Sequence, residues 1–247
     1  MKSFFSIKGL MTVAMMLTLT ACAGEFAALP DDPNNEPVSK EGSSEEPSTS
    51  TPEPETPSAP APVVPVDARA EILKQYNFVD PTHIVPTTAL EDAIIYYHEK
   101  KATLKNPNVL SVLDFSQTSK NKRFYIINMK TGSVWNVHVS HGKGSDSNHD
   151  GYAEKFSNVE GSNASSLGYY KTAETYQGSN GYSLRLDGLS TTNSRARERA
   201  IVIHGASYVQ DSNVIQGRSW GCPAISTDNH RKVIDMLKGG SIIYAFK

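Results

Sequence analysis

The pattern of apolar and polar residues divides the chain into three parts. A short apolar run occupies residues 9–21 beside Lys2 and Lys8, residues 29–66 show no hydrophobic periodicity, and periodic segments begin only beyond them. Hydrophobic periodicity is the main sequence signal of packed secondary structure. We therefore expect the folded part of the chain to begin near residue 67.

Apolar residues at helical spacing occur at both ends of this folded part. Residues 88–102 are predicted to form an amphipathic helix that opens with capping-box spacing, and a shorter helix is predicted around residues 68–76. Near the C-terminus, a helix is predicted to be capped by Ser226 or Thr227 and to end at two glycines. The helical apolar residues are Leu90, Ala93, Ile94, Tyr97, Val233, Ile234 and Leu237, and the glycines are Gly239 and Gly240.

Short strands bounded by turn residues are predicted between these helices and at the C-terminus. They are runs rich in apolar and β-branched or aromatic residues. The predicted strands cover residues 109–115, 123–128, 134–139, 168–172, 182–186, 200–204 and 241–246, with a turn at Lys130, Thr131 and Gly132. Several short strands at close spacing indicate a sandwich or barrel. The sequence therefore predicts a mainly β fold with an N-terminal helical segment and a short C-terminal helix.

The apolar run at the N-terminus is typical of a signal peptide, because it is too short to span a membrane stably. It ends in Leu19-Thr20-Ala21-Cys22, which resembles the bacterial lipoprotein signal. In such proteins, cleavage leaves the cysteine first and its thiol carries a diacylglycerol. We therefore expect residues 1–21 to be a lipoprotein signal peptide and Cys22 to be the lipidation site. The alternative is an ordinary secretory signal with an incidental cysteine.

The composition differs between a Pro-rich, acidic segment up to residue 66 and the folded part that follows it. Ten of the 14 prolines lie between residues 29 and 66, and residues 25–66 contain nine acidic residues against Lys40 alone. Such a segment is expected to stay extended and disordered. Removing those nine acids, Lys40 and the two N-terminal lysines leaves 17 acidic and 21 basic residues, a formal charge of +4 for residues 67–247. This small excess argues against a dedicated nucleic-acid binder and is compatible with an anionic polymer as partner.

Two cysteines cannot make a disulfide framework, so each needs its own explanation. A lone cysteine such as Cys222 is more often a small buried apolar residue than a nucleophile. A nucleophilic thiol needs a base, a group that orients the base, and backbone donors for the oxyanion. His204 ends a strongly apolar segment and is followed by Gly205, so a rigid strand could present its imidazole; a satisfied core histidine is the alternative.

These residues carry a resemblance to a known family. Ile203-His204-Gly205, a gap, and Ser219-Trp220-Gly221-Cys222 resemble the L,D-transpeptidase catalytic domain (YkuD-type), whose pattern is His-Gly, a gap, and Ser-His-Gly-Cys. Residues 139–143 and 166–170 resemble two upstream motifs of that family in the same order. The likeness covers roughly residues 109–246 and is greatest to a murein L,D-transpeptidase-like branch with the motif Arg-Ser-Trp-Gly-Cys-Pro-Ala.

The resemblance implies a β-rich, sandwich-like fold and a specific chemistry without a cofactor. Cys222 would attack the meso-diaminopimelate to D-Ala bond of a peptidoglycan tetrapeptide stem, release D-Ala and form a thioester. His204 would act as base and then as acid. The backbone carbonyl of Ser219 would orient the imidazole, and N–H groups around Gly221 and Cys222 would form the oxyanion hole. An amine of a second stem would resolve the thioester into a 3→3 crosslink.

Other outcomes remain open at this stage. Water in place of the amine would give a carboxypeptidase or endopeptidase with the same site. A non-catalytic, wall-binding lipoprotein is the rival from another class. The expected organisation is a signal peptide (1–21), a lipidated tether (22–66), a helical segment packed on the catalytic domain (67–108) and that domain (109–247), acting as a monomer. Ala23 resembles lipoproteins of the outer membrane, so we expect the domain to face the periplasm from that membrane.

The sequence departs from the commoner family pattern at two positions. Trp220 replaces a histidine, and Ala224 replaces an arginine, so recognition of a substrate carboxylate must come from elsewhere. Arg218 is the nearest candidate, with stacking on Trp220 as the alternative. The resemblance further implies a substrate-binding surface made of Arg218, Trp220, His141, Gly205 and Tyr169. His141 is expected either near the thiol as a second imidazole or in a structural or surface role.

Two metal-site patterns were weighed and set aside. His138, His141, His149 and His204 have no zinc-site spacing, and the chain has no His-Glu-x-x-His. The segment from Asp146 resembles the start of a calcium-binding loop, but Ser157 occupies the position that requires a glutamate. We therefore expect no metal.

Overall fold

The computed structural model describes residues 65–247, and the expected signal peptide, Cys22 and almost all of the tether lie outside this part. Within the described residues, no helix has both the length and the apolar character needed to cross a membrane. The elements are α1 (Val66–Lys74), α2 (Thr87–Lys100), a 3₁₀ turn (Lys101–Thr103), β1 (Val109–Asp114), β2 (Phe124–Asn128), β3 (Val134–Val137), β4 (Gly168–Gly178), β5 (Gly181–Gly188), a 3₁₀ turn (Thr191–Asn193), β6 (Val202–Ala206), β7 (Ala224–Ser226), α3 (His230–Leu237) and β8 (Ile242–Phe246).

The eight strands form one mixed sheet in the order β3-β2-β1-β8-β4-β5-β6-β7. The pairs β1–β8 and β6–β7 are parallel, and the other neighbouring pairs are antiparallel. The prediction of a mainly β fold with N-terminal and C-terminal helices is confirmed.

The helix starts differ from the prediction. The residue before α2 is Pro86, and no side chain caps this helix, so the capping box predicted at Thr88 is wrong. The residue before α3 is Asn229 instead of Ser226 or Thr227. Pro86 fixes φ at −55°, and its carbonyl accepts from Leu90 N–H at 2.9 Å, the first bond of the helix.

Side chains alternate strictly between the two faces of the sheet. Along β8, Ile243 and Ala245 pack into one apolar cluster, and Ile242 and Tyr244 pack into another. The first cluster is the inner core and includes α3. The second lies under α1 and α2, where Ala93, Ile94 and Tyr97 are buried. This alternation is the two-residue period of a strand whose faces are both covered.

The two ends of the sheet meet again beyond β3 and before β7. Residues 139–143 run beside residues 219–224, and we call these two segments together the seam. Ser219 N–H donates to the His141 carbonyl at 2.9 Å, Lys143 N–H to the Ser219 carbonyl at 2.7 Å, and Ser140 N–H to the Ala224 carbonyl at 2.9 Å. The sheet is therefore nearly closed, and the segment that contains Cys222 lies on the closing edge.

Candidate active site

The thiol of Cys222 lies in a tight, buried turn of the seam. Cys222 is only 2% exposed. The preceding Gly221 has φ +121°, and a Cβ at this position would lie 2.8 Å from the carbonyl oxygen of Ala164. A side chain at 221 is therefore excluded both by the backbone conformation and by the neighbouring carbonyl.

Ser219 holds this turn through its hydroxyl group. Its Oγ donates to the Cys222 carbonyl at 2.7 Å and accepts from Gly221 N–H at 3.1 Å. The Ser219 carbonyl accepts from Lys143 N–H instead of orienting an imidazole. Two expectations are thus corrected, because Ser219 does not orient His204 through its carbonyl, and the Gly221 N–H that was expected in the oxyanion hole is bonded to Ser219.

The imidazole of His204 is oriented by the next residue along β6. His204 is fully buried, and its Nδ1 lies 3.0 Å from the Gly205 carbonyl oxygen. A carbonyl only accepts, so the proton is assigned to Nδ1 and Nε2 is left as the basic nitrogen. The parallel pairing of β6 with β7 sets His204 opposite Ala224, two residues after Cys222. Cys222 lies just outside β7, and the bond from Ala224 N–H to the Cys222 carbonyl at 3.0 Å shows that the chain turns at Pro223 between them.

Gly205 contributes through its missing side chain as well as its carbonyl. A Cβ at 205 would lie 2.8 Å from the ring atoms Cγ and Nδ1 of His230, which packs over this position. His230 is itself held by a contact of its Nδ1 with the Thr227 carbonyl at 2.8 Å. Gly205, which the resemblance places in the substrate-binding surface, thus has a packing role next to the catalytic histidine candidate.

The ring of His141 is part of a buried chain of three charged or polar side chains. Its Nδ1 lies 2.7 Å from Arg123 Nη2, and its Nε2 lies 3.0 Å from Asp146 Oδ2. Arginine only donates, so Nδ1 must accept and the proton is assigned to Nε2, which donates to the carboxylate. A neutral imidazole thus bridges a buried cation and a buried anion. His141 is 1% exposed and its ring is committed to these two partners, so the expected role of a second imidazole at the thiol does not fit.

The electrostatics of this chain agree with its hydrogen bonds. Burial, assisted by the charge of Arg123, lowers the pKa of His141 to about 4. Burial also lowers the pKa of Arg123 to about 9, against the opposing charges of Asp114 and Asp146. For Asp146, burial opposes ionisation, but hydrogen bonds from His141 and from Gly151 N–H outweigh it and lower the pKa. At neutral pH, Arg123 is therefore a cation, His141 is a neutral ring and Asp146 is an anion.

Arg218 and Trp220 do not stack on each other as one alternative had it. The guanidinium of Arg218 donates to the backbone carbonyls of Asp146 and Ser147. The cation over the Trp220 ring is Lys143, with Nζ 5.4 Å from the ring centroid. Arg218 thus ties the loop after the seam to the turn of Cys222, and Trp220 with Lys143 supplies the half-buried side chains beside that turn.

Tyr169 lies on the opposite face of the sheet from this site, which corrects its expected role in substrate binding. Its ring stacks on Tyr96 at 3.8 Å and on Tyr244 at 4.5 Å between centroids, in the cluster under α2. Burial raises its pKa far above the ordinary value. Tyr170 is the residue on the inner face, where its hydroxyl bonds Ser166.

The histidines that could have suggested zinc have separate partners. His138 contacts Asp211 and the Lys120 carbonyl, and His149 contacts the Gln216 carbonyl. Among residues 65–247, no group of three or more His, Cys, Asp or Glu side chains is arranged to hold a metal ion.

Two functional neighbours of the thiol were missed by the sequence analysis. Ser165 Oγ donates to the Gly221 carbonyl at 3.1 Å and accepts from Gly142 N–H at 3.1 Å, so it joins both sides of the seam. Arg199 lies in the turn before β6, and the next residue, Ala200, places its carbonyl 3.6 Å from Cys222 Sγ. The only signal for Arg199 was its place in the segment Arg197-Glu198-Arg199-Ala200 just upstream of His204.

A thiol on a glycine turn and a histidine oriented by a carbonyl are two of the parts that a cysteine nucleophile would need. The L,D-transpeptidase catalytic domain family matches residues 82–246, about two thirds of the chain. The chain therefore belongs to this family, and the resemblance stated from its motifs is confirmed. A comparison with curated proteins gave no match.

Solved structures of similar proteins include three from different bacteria. An L,D-transpeptidase from Mycobacterium smegmatis is 16% identical over 57% of this chain and 59% of its own, with a TM-score of 0.37. The L,D-transpeptidase (residues 123–326) from Xylanimonas cellulosilytica is 14% identical over 55% and 59%, with a TM-score of 0.32. The helical cell shape determining protein Pgp2 from Campylobacter jejuni is 11% identical over 62% and 55%, with a TM-score of 0.35. The chain thus spans less than two thirds of the length of each.

Proposed function

We propose that this protein is a peptidoglycan L,D-transpeptidase with Cys222 as nucleophile and His204 as its acid and base. The family match supports the reaction class. The observation that carries the assignment of residues is the contact of His204 Nδ1 with the Gly205 carbonyl at 3.0 Å, on the strand that pairs with β7 shortly after Cys222. A fixed tautomer with a basic Nε2 is what a thiol nucleophile needs from its partner.

The proposed reaction has two steps, each with a proton transfer through His204. The Cys222 sulfur attacks the carbonyl carbon between meso-diaminopimelate and D-Ala, the C–N bond breaks, and D-Ala leaves with the proton that His204 took from the thiol. An amine of a second stem peptide then attacks the thioester. The new amide forms the 3→3 crosslink, the C–S bond breaks, and the proton returns to the sulfur through the imidazole.

The roles of the supporting residues follow from their contacts. Ser219 Oγ bonds the residues on both sides of the thiol turn, so it fixes the direction from which Sγ approaches a substrate. The hydrogen bonds of His141 with Arg123 and Asp146 fix the segment 139–143, which is the other side of the seam. These groups act as positioning residues, while Trp220 and Lys143 are proposed to contact the stem peptide.

The direct test is incubation of the purified protein with a disaccharide tetrapeptide ending in D-Ala, followed by mass analysis of the products. We expect free D-Ala and a 3→3 dimer. Cys222→Ala is expected to abolish D-Ala release, and His204→Gln to slow it by about 10²–10⁴-fold, the usual contribution of a general acid and base. Lys171→Gln, an exposed change on β4, serves as the matched control and is expected to retain activity.

The products distinguish the rival functions. Tripeptide without dimer would identify water as the acceptor and make the protein a carboxypeptidase. Binding to murein without any turnover, unchanged in Cys222→Ala, would contradict the proposal and favour a wall-binding lipoprotein. Circular dichroism of each variant shows whether lost activity follows from lost folding.

We also propose that lipid on Cys22 anchors the protein at the outer membrane with the domain in the periplasm. The support is the lipoprotein-like Leu-Thr-Ala-Cys motif and the Pro-rich acidic segment behind it. Labelling of cells with a radioactive fatty acid should mark the wild-type protein and not Cys22→Ala. Equal labelling of both would contradict the anchor.

A further inference from the structure

Arg199 is a half-buried cation whose guanidinium faces the loop that supports the thiol turn. Its Nη1 donates to the Ser157 carbonyl at 2.6 Å, and its Nη2 donates to the Ala164 carbonyl at 2.6 Å. Further contacts reach Ser166 Oγ at 3.4 Å and Ser162 Oγ at 3.3 Å. No carboxylate is among these four partners. Arg199 therefore keeps its full charge close to neutral groups, unlike Arg197 on the same turn, which pairs with Glu174 and Asp187.

The position of Arg199 connects it to Cys222 from two directions. The Ala164 carbonyl that it binds is the same oxygen that lies against Gly221, the residue before the thiol. The residue after Arg199 is Ala200, whose carbonyl accepts from the Cys222 thiol at 3.6 Å. This contact favours the neutral thiol, and a nearby cation would oppose it. Ala200 has a positive φ of 55°, which is unusual for a residue with a side chain. The unusual conformation of Ala200 thus occurs in the turn that carries both the Ala200 carbonyl and the Arg199 guanidinium.

The guanidinium of Arg199 lies beside the thiol turn, because it binds the Ala164 carbonyl that lies against Gly221. Burial lowers the pKa of Arg199, while the negative forms of Tyr170 and Cys222 act in the opposite direction. A Coulombic interaction is mutual, so the cation favours the thiolate as much as the thiolate favours the cation. The other cation expected here, Arg218, is bound to the carbonyls of Asp146 and Ser147.

We propose that Arg199 is the positioning residue that favours the thiolate of Cys222, by fixing a permanent positive charge beside the thiol turn. The inference rests on the proposed function only in taking Cys222 as the nucleophile. The other titratable groups around the thiol and Arg199 are His204 from β6, Tyr170 from β4, and Arg195 and Glu160, which pair with each other at 3.4 Å. His204 exchanges the proton of each turnover, whereas an arginine keeps its charge through the whole cycle.

The test measures the thiol itself, without murein. Alkylation of Cys222 by iodoacetamide is followed between pH 4 and pH 10 in the full chain, and the modified Cys222 peptide is quantified by mass spectrometry. For the wild type we expect a midpoint below 8.5, the ordinary value of a cysteine thiol. Arg199→Gln is expected to raise the midpoint by about one pH unit, because it removes a nearby opposite charge.

Two further variants separate charge from structure. Arg199→Lys keeps the charge but not the planar fork, so its midpoint should stay close to that of the wild type. Arg197→Gln makes the same change of net charge, but Arg197 is paired with Glu174 and Asp187. The midpoint of Cys222 alkylation in this variant should therefore also stay close to that of the wild type. A purely structural role of Arg199 would lower the alkylation rate equally at every pH without moving the midpoint in Arg199→Gln, and this result would overturn the inference.

If Arg199→Gln does not fold, Arg199→Met, which keeps the length of the side chain and removes its charge, takes its place in the same comparison. A wild-type midpoint at or above 8.5 overturns the inference without any variant. A low midpoint that rises in Arg199→Gln, together with no release of D-Ala by the wild type, would support the thiolate assignment and contradict the proposed function. The two proposals can therefore fail separately.

Discussion

The seam around Cys222 and the helix-covered face of the sheet are held together by different forces. At the seam, the positioning contacts are hydrogen bonds from polar side chains, such as Ser219, Ser165 and His141, and most of their partners are backbone groups. Under α1 and α2, the contacts are apolar and aromatic, with Tyr169 stacked between Tyr96 and Tyr244. Hydrogen bonds are directional, whereas apolar packing depends mainly on area. The comparison indicates that this fold uses directional contacts where atoms must be placed and apolar burial where only stability is needed.

The largest effect is expected from removal of the buried anion behind the seam. Asp146→Ala should lower the free energy of unfolding by about 3–5 kcal/mol, because His141 Nε2–H and Gly151 N–H lose their buried acceptor and only Asp114 is left to offset the charge of Arg123. Chemical denaturation measures this change. Asp146→Asn keeps an acceptor for Gly151 N–H and should lose less. A loss below about 1 kcal/mol in Asp146→Ala would mean that the polar chain does not hold the seam.

The pH dependence of stability should come from the same polar chain. In the folded state the pKa of His141 is about 4, against an ordinary value of 6.5, so the unfolded chain binds an extra proton between these values. The contribution of His141 is thus complete above about pH 6.5 and is lost as the pH falls towards 4. It amounts to about 3 kcal/mol for a fully buried ring.

Denaturation curves at several pH values check this expectation. His141→Gln should show a flatter dependence between pH 6.5 and pH 4 than the wild type, since its side chain does not titrate. Identical slopes for the two proteins would place the titrating group elsewhere.

The smallest effect is expected from two adjacent tyrosines on opposite faces. Tyr169→Phe loses one hydrogen bond to the Asp92 carbonyl, 3.3 Å long, and keeps the aromatic stack, so it should cost about 0.5–1 kcal/mol and leave turnover unchanged. Tyr170→Phe loses contacts with the hydroxyl and carbonyl of Ser166 on the side of the thiol, so turnover should fall. Melting temperature and D-Ala release measure both. Equal effects on turnover would remove the distinction between the faces.

Strand positions were predictable from the sequence because alternation survives wherever both faces are buried. β8 shows this most clearly, with Ile242 and Tyr244 on one face and Ile243 and Ala245 on the other. β7 was missed because its three residues are too short to show a period. The long β4–β5 hairpin was cut short for a different reason, since its outer half carries exposed polar residues and a register shift between Thr172 and Thr175.

The candidate site was predictable only in part. Cys222 and His204 could be found from residue type and motif, because thiols and imidazoles carry this chemistry. The contacts that orient them could not, since Gly205 and Ser219 act through hydrogen bonds whose direction depends on the tertiary fold. Tyr169 was assigned to the wrong face, because two adjacent tyrosines leave open which one points inward until the register of β4 with β8 is known.

The closing edge of the sheet has a consequence for the solubility of the protein. An uncovered sheet edge presents unpaired N–H and C=O groups that can pair with the edge of another molecule. Here the turn of Cys222 covers that edge, because residues 219–224 pair with residues 139–143. The segment of the proposed nucleophile therefore also protects the chain against edge-to-edge association. Substitutions that loosen it, Gly142→Ala among them, are expected to favour self-assembly as well as to lower activity.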